Sequence, residues 1–126
     1  QAGIGRGLYE MDTLNAIHDK MLKAVAHLGA RIDAVFFCPH TSEDGCDCRK
    51  PKPGMLEEIA TRYNTDLNGV PVIGDSLRDL QAAAAMGALP MLVMTGKGVK
   101  TIDDPELPPR TLVFPDLAAA VAHITA

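Results

Sequence analysis

The sequence predicts an α/β protein built around a parallel sheet. Short apolar runs alternate along the chain with stretches that have helical spacing of apolar residues or are rich in Ala. This alternation is typical of parallel strands joined by helices. The composition agrees, because 47% hydrophobic and 22% charged residues in a chain of 126 are normal for a globular protein of this size. We therefore expect a single domain over residues 1–126.

The first half of the chain contains two predicted helices and one predicted strand. Apolar residues recur every three or four positions in the first helix, which indicates one buried stripe. The predicted elements are a Gly-rich loop over 1–9, a helix over 11–28 capped by Asp12 or Thr13, a buried strand over 34–37 that ends at Cys38, and a helix over 53–63 opened by Pro53.

The second half repeats the alternation with shorter elements. Gly87 is suited to stop the preceding Ala-rich helix. The predicted elements are a strand over 70–73, a helix over 77–86, a strand over 90–94, a Pro-containing loop over 97–110, a strand over 112–114 and a closing helix capped by Asp116. Ligands of parallel sheets bind beyond the carboxyl ends of the strands, where Cys38, Asp75 and Thr95 fall.

Charge and cysteine usage exclude several classes of protein. A net charge of -4 argues against a nucleic-acid-binding scaffold, which would be basic. Apolar runs are too short for a transmembrane helix, and the start lacks the apolar segment of a signal peptide. Three clustered cysteines form a poor disulfide framework and suit a reducing compartment. We expect a cytoplasmic protein that binds neither nucleic acid nor membrane.

One loop, with the sequence CPHTSEDGCDCRKPKP, contains every cysteine of the chain. Cys38, His40, Cys46 and Cys48 supply three thiolates and one imidazole, which are ligands that zinc prefers. Four protein ligands leave no position for water, so the zinc would be structural. It would fold a polar loop, residues 38–49, that has almost no apolar core. The alternative is three free thiols and a surface histidine.

A cationic pair follows this loop directly. The guanidinium of Arg49 can hold an anion with two hydrogen bonds, and the ammonium of Lys50 adds a compact charge. A solvated basic turn is the alternative, and it is common.

An acidic motif, GDSLRDLQAA, follows the strand over 70–73. The carboxylate of Asp75 stands at the strand end, where it can reach a hard cation such as magnesium. Asp79 lies four residues on and close to Asp75 if the helix begins at once. The alternative is that Asp75 or Ser76 caps that helix.

These motifs together resemble those of a known family. The segments RKPKPGM and VIGDSLRDLQAAAAMG are similar to the third and fourth motifs of the haloacid dehalogenase superfamily. The loop CPH…CDCRKP resembles the zinc-loop branch that contains heptose bisphosphate phosphatases and histidinol-phosphatases. The resemblance implies a three-layer, Rossmann-like parallel sheet, a structural zinc and a magnesium-dependent phosphatase. It also implies catalytic roles for Lys50 and Asp75.

Three segments bear on the choice within this branch. The opening QAGIGRG and the segment MLVMTGKG resemble the heptose phosphatases, whereas the short loop between His40 and Cys46 resembles the histidinol-phosphatases. The heptose branch implies removal of the 7-phosphate of D-glycero-D-manno-heptose 1,7-bisphosphate, on the route to ADP-heptose and lipopolysaccharide. The alternatives are hydrolysis of histidinol phosphate and a non-catalytic, zinc-stabilised module that binds an anionic partner.

The resemblance also implies roles for individual residues. Lys50 would stabilise charge on the transferring phosphoryl group, and Asp75 would bind magnesium. Asp79 is a weaker magnesium candidate, which would orient Lys50 or a metal-bound water. Substrate contacts to a small phosphorylated sugar would come from Gln1, Arg6, Arg49 and Lys50, and we expect a monomer.

Two motifs of the superfamily have no counterpart in the sequence. The superfamily's nucleophile is the first Asp of an Asp-x-Asp motif at the end of the central strand, and no apolar strand here is followed by such a pair. The Thr or Ser that ends the superfamily's second strand is missing as well. We therefore expect residues 1–126 to be the larger, C-terminal part of the phosphatase domain. The nucleophile and the two central strands would lie upstream.

Overall fold

The predicted parallel sheet lies in the second of two units into which the chain divides. A computed structural model describes residues 1–126, with one unit over Gln1–Arg49 and the other over Lys50–Ala126. We describe each unit by itself. The expectation of a single domain over the whole chain stays a prediction.

The second unit contains a three-stranded parallel sheet in the order β1-β2-β3. The strands are β1 (Pro71–Gly74), β2 (Leu89–Val93) and β3 (Leu112–Phe114). Gly74 pairs with Leu92, and Val93 pairs with Phe114. This register places the carboxyl ends of β1 and β2 at the same edge, so the residues that follow the two strands are neighbours.

Four helices accompany this sheet in the second unit. They are α3 (Gly54–Arg62), α4 (Leu77–Ala85), α5 (Gly98–Thr101) and α6 (Leu117–Thr125). Helix α4 packs against β1 and β2, and α6 contacts all three strands. Leu67, Ala83 and Ala88 form a buried cluster against which Leu56 and Val72 pack. As predicted, Asp116 caps α6, where its carboxylate accepts a hydrogen bond from the backbone N–H of Ala119.

The first unit is helical and irregular. It contains α1 (Ala2–Gly5), α2 (Met11–His27) and a 3₁₀ helix over Ser42–Asp44. Helix α2 confirms the predicted amphipathic helix and buries Leu14. Its N-cap is Glu10 rather than Asp12 or Thr13, and no side chain makes a capping hydrogen bond there.

The predicted strand over 34–37 is wrong. Residues 30–39 have no regular secondary structure, although Cys38 at their end is buried. A strand exists only where a neighbour completes its hydrogen-bond ladder, and this apolar segment has no ladder partner in the structure. The ring of Phe37 instead packs against His18 of α2, with 5.8 Å between ring centroids.

Two predicted loops contain short helices. The Gly-rich segment 1–9 includes α1, because its backbone makes local bonds such as Arg6 N–H to Ala2 O at 2.9 Å. The segment 97–110 includes α5, since its prolines all follow residue 104 and leave 98–101 able to bond helically. Among all the helices, none combines the length and the apolar character that crossing a membrane requires.

Candidate active site and metal centre

The four predicted zinc ligands come together in the first unit. The ligand atoms of Cys38, His40, Cys46 and Cys48 all lie within 4.8 Å of one another. Cys38 Sγ lies 3.5 Å from Cys46 Sγ and 3.5 Å from His40 Nδ1, and Cys48 Sγ lies 3.4 Å from that nitrogen. The sulfurs of Cys48 and Cys38 are closer, at 2.9 Å.

This arrangement fits a tetrahedral zinc ion. Ligands at zinc bond lengths of about 2.1–2.3 Å lie roughly 3.5–3.8 Å apart around a tetrahedron, close to most of the distances above. None of the three thiols is in a disulfide, so all three are available as ligands. The nearest nitrogen of His40 is Nδ1, which we take as its ligand atom. All four positions would then be occupied by protein, as in structural zinc sites.

The thiols perturb one another strongly. Burial raises the pKa of Cys46, but hydrogen bonds with Cys38, Cys48 and the backbone N–H of Arg49 outweigh it and lower the pKa to about 7. Hydrogen bonding with Cys38, followed by burial, raises the pKa of Cys48 to about 12. A bound cation would favour the thiolate forms that crowding of these sulfurs disfavours.

The polypeptide between the two ligand pairs has its own local support. Thr41 and Asp44 form a reciprocal capping box around the 3₁₀ helix, with the backbone N–H of Thr41 donating to Asp44 Oδ2 at 2.7 Å. Gly45 follows in the left-handed region at φ 67°, which turns the chain back toward Cys46. The short loop therefore closes without a hydrophobic core.

In the second unit, Lys50 is held by Asp79. The Lys50 ammonium forms an ion pair with Asp79 Oδ1, and Asp79 Oδ2 accepts from Ser76 N–H at 3.1 Å and Ser76 Oγ–H at 2.8 Å. Asp79 is only 13% exposed and Lys50 43% exposed. Both carboxylate oxygens of Asp79 thus have partners within the chain. Gly74 makes room for this carboxylate, because a Cβ there would collide with the Asp79 side chain.

These contacts keep Asp79 charged. Burial acts to raise the pKa of its carboxyl group, but the hydrogen bond and charge of Lys50, together with Ser76, outweigh burial and lower the pKa below its usual range. A cavity of about 170 Å³ adjoins the ion pair, with walls that include Leu56, Val72 and Ala82.

Asp75 lies at the carboxyl end of β1 and points to a different partner. Its Oδ2 accepts a hydrogen bond from the backbone N–H of Lys97 at 2.8 Å, on the loop that follows β2. The bond occupies one carboxylate oxygen and leaves Oδ1 for another partner. Magnesium takes one or two protein carboxylates and completes its shell with water and phosphate oxygens. Asp75 fits as one ligand of such a site.

The remaining predicted site residues lie in the first unit. The side chain of Gln1 accepts a hydrogen bond from the hydroxyl of Tyr9, and Arg6 is exposed. The backbone of Arg49 is linked to the metal cluster through Cys46, as described above. The structure therefore groups the four metal ligands and, separately, pairs Lys50 with Asp79. Asp75 and Asp79 have different partners.

Sequence reasoning missed two supporting residues, Tyr9 and Thr101, and named a third, Ser76, only as a possible helix cap. Tyr9 holds Gln1 and packs so tightly on Gly3 that a Cβ at Gly3 would collide with its ring. Thr101 contacts the backbone of Asp75. The alternative that Ser76 caps α4 is confirmed, and the spacing Ser-x-x-Asp, a capping-box signal, could also have identified its bond to Asp79.

Comparison with known proteins identifies the family. Residues 47–120 match the HAD-hydrolase-like family model. The chain is 56% identical over 124 residues to D-glycero-β-D-manno-heptose-1,7-bisphosphate 7-phosphatase of Bordetella bronchiseptica, covering 98% of this chain and 69% of the relative. It is 49% identical to the enzyme of the same name from Pseudomonas aeruginosa, with the same coverage. The chain belongs to the heptose bisphosphate phosphatase family of HAD-like hydrolases.

Solved structures agree with this family assignment. The D,D-heptose 1,7-bisphosphate phosphatase of B. bronchiseptica, complexed with magnesium and phosphate, superposes with a TM-score of 0.97. The superposition covers 99% of this chain and 70% of that chain. The corresponding phosphatase of Burkholderia thailandensis has a TM-score of 0.78 at 48% identity, with 100% of this chain and 71% of that chain covered. These comparisons confirm the predicted family and the parallel α/β fold.

Proposed function

We propose that this chain is part of a magnesium-dependent phosphatase that removes the 7-phosphate of D-glycero-D-manno-heptose 1,7-bisphosphate. The observation that carries the proposal is its 56% identity, over 98% of the chain, to a phosphatase named for this reaction. A structure of that phosphatase contains magnesium and phosphate. The reaction serves the synthesis of ADP-heptose for lipopolysaccharide.

Lys50 is the proposed stabiliser of the transferring phosphoryl group. Its ammonium is fixed by Asp79, which is itself fixed by Ser76, so the charge is already oriented before substrate binds. A pre-oriented cation stabilises charge that develops on phosphoryl oxygens without reorganising during the reaction. Asp79 thus acts through Lys50, which is one of the two roles expected for it.

Asp75 is the proposed magnesium ligand of this chain. The cation, when bound, offsets negative charge between the phosphate and an attacking carboxylate. Asp75 contributes a carboxylate that is half-buried and fixed by Lys97 N–H, so little conformational freedom is lost on binding.

The nucleophile is expected outside residues 1–126, in the part of the relatives that this chain does not span. In the proposed reaction a carboxylate oxygen bonds to phosphorus as the bond between phosphorus and the sugar oxygen breaks. A second carboxylic acid protonates the departing alkoxide. The resulting carboxylate then takes a proton from the water molecule that attacks and hydrolyses the aspartyl-phosphate. Experiments should therefore use the full-length protein.

The remaining proposals concern the zinc site, the cellular location, the substrate contacts and the oligomeric state. Zinc in the Cys38–Cys48 loop would stabilise the fold, and three unbridged thiols in that loop suit the cytoplasm. Gln1, Arg6 and Arg49 are proposed to contact the sugar or its phosphates. We further propose that the enzyme is a monomer.

The test is phosphate release by the full-length protein from heptose 1,7-bisphosphate and from histidinol phosphate, each with magnesium and with excess chelator. We expect kcat/KM to favour the heptose substrate by at least roughly 100-fold, because a site built for one ester discriminates strongly against a differently shaped one. Chelation should abolish turnover, and magnesium should restore it. Preference for histidinol phosphate, or turnover that is indifferent to magnesium, would contradict the proposal.

A further inference from the structure

Thr101 is a buried polar residue with a long-range contact to the candidate magnesium ligand. It is 7% exposed and is the last residue of α5. Its hydroxyl lies 2.8 Å from the backbone carbonyl of Asp75 and 3.1 Å from the carbonyl of Lys97. A threonine in a helix commonly bonds to the carbonyl four residues earlier, which here is the carbonyl of Lys97. The shorter contact, to Asp75, joins the end of β1 to the segment that follows β2.

The same segment also fixes the side chain of Asp75. Lys97 donates its backbone N–H to Asp75 Oδ2 at 2.8 Å. Asp75 is therefore held twice by one short segment, at its main chain through Thr101 and at its carboxylate through Lys97. Two attachments from one rigid segment restrict both the position and the rotation of a carboxylate.

Two glycines make this close approach possible. Gly96 has φ +59°, and a Cβ there would collide with Asp75 Oδ2. Gly98 is buried, and a Cβ there would collide with the carbonyl oxygen of Val93. A side chain at Gly96 would displace the Asp75 carboxylate, and one at Gly98 would push the segment away from the end of β2.

We propose that Thr101 is a positioning residue that, together with Gly96 and the N–H of Lys97, holds the Asp75 carboxylate in the orientation that receives the divalent cation. The inference rests on the proposed function, in which Asp75 is a magnesium ligand. It adds a residue that touches neither the metal nor the substrate. Partners of metal ligands of this kind typically change metal affinity by 10–100-fold.

A purely structural role for Thr101 makes a different prediction. Thr61, which is exposed, provides a comparison for the local contact alone, because its hydroxyl lies 3.0 Å from Glu57 O in helix α3 of the same unit. If Thr101 only closed the end of α5, its replacement would lower stability without changing metal affinity. Metal affinity therefore separates the two roles.

The test measures binding of Mn²⁺ alone, as a spectroscopic substitute for magnesium, to the full-length, zinc-loaded protein. We compare Thr101→Val, which keeps the shape and removes the hydroxyl, with Thr101→Ser, which keeps the hydroxyl, and with Thr61→Val. We expect Thr101→Val to raise the Mn²⁺ Kd by at least roughly tenfold. Thr101→Ser should stay within about threefold of the wild type, and Thr61→Val should leave Kd unchanged.

The magnesium requirement of turnover gives a second readout. In Thr101→Val, the magnesium concentration for half-maximal activity should rise in proportion to Kd, whereas KM for the sugar phosphate should change little. If Thr101→Val does not fold, Gly96→Ala tests the second attachment of Asp75, since its Cβ displaces the carboxylate oxygen Oδ2, and it should weaken Mn²⁺ binding similarly.

The outcomes distinguish this inference from the proposed function. A folded Thr101→Val with wild-type Mn²⁺ affinity, in an enzyme that otherwise hydrolyses heptose bisphosphate, overturns the positioning role alone. A wild-type protein whose Mn²⁺ binding is absent, or is unchanged by Asp75→Asn, overturns the proposed metal role and this inference with it.

Discussion

The two candidate sites of this molecule are built in opposite ways. The metal cluster takes its four ligands from one loop, residues 38–49, whose local support includes the Thr41–Asp44 capping box. The carboxylate at the end of β1 is oriented by groups 22 and 26 residues away, at Lys97 and Thr101. A bound metal can replace a hydrophobic core in the first case, whereas the second depends on the sheet being folded. This difference fits the roles proposed above, stability for the first site and chemistry for the second.

Lys50→Ala in the full-length protein is the largest expected effect. Removing the pre-oriented cation should lower kcat by roughly 10²–10³-fold, as loss of one electrostatic stabiliser of a transition state commonly does. The melting temperature should fall only slightly, because the Lys50–Asp79 pair is partly exposed. The measurements are phosphate release and thermal unfolding, with Lys20→Ala on the exposed face of α2 as the charge-matched control. A kcat within about threefold of the wild type would exclude Lys50 from the chemistry.

Cys46→Ser should mainly lower stability, whereas Lys50→Ala should mainly lower kcat. It removes one of four metal ligands, so zinc content should fall and the free energy of unfolding should drop by at least about 3 kcal/mol, as expected for loss of a structural metal. Metal analysis and denaturant unfolding check this result, with Ser42→Ala on the 3₁₀ helix as a control in the same loop. Full zinc occupancy and unchanged unfolding in Cys46→Ser would remove the structural role of the cluster.

A smaller effect concerns the pH dependence of stability at Asp79. Because Lys50 and Ser76 lower the pKa of this carboxyl in the folded state, its contribution to stability is complete above the ordinary pKa of 3.8 and is lost as pH falls through the lowered value. Between about pH 7 and about pH 3, the wild type should therefore lose more unfolding free energy than Asp79→Asn, by about 1 kcal/mol.

Urea unfolding at the two pH values measures this difference. Asp103→Asn, at an exposed position, is the control. Acid release of zinc affects all three proteins alike and cancels in the comparison. Equal losses in wild type and Asp79→Asn would mean that the ion pair and cap contribute nothing to folding.

The same contrast explains what could be predicted from the sequence. The metal cluster was predicted because the identity and spacing of Cys38, His40, Cys46 and Cys48 are local properties. Four of the six α-helices and all three strands followed from apolar runs, helical spacing and capping residues, whereas α1 and α5 lay in predicted loops. The predicted strand over 34–37 was wrong because an apolar run forms a strand only beside a partner strand, which an apolar pattern cannot reveal. Thr101 had no signal at all, since its contact to Asp75 depends on the register of β1 against β2.

In this account the metal cluster serves stability, while Lys50 and Asp75 serve chemistry. The most direct test of this division is to measure kcat of Cys46→Ser for heptose bisphosphate at saturating magnesium, at a temperature where the variant remains folded. The account predicts kcat within about threefold of the wild type, because Lys50 and Asp75 stay in place. KM should rise, because the loop that carries Arg49 loses its metal. A kcat that falls as far as that of Lys50→Ala, in a variant shown to be folded, would contradict the account.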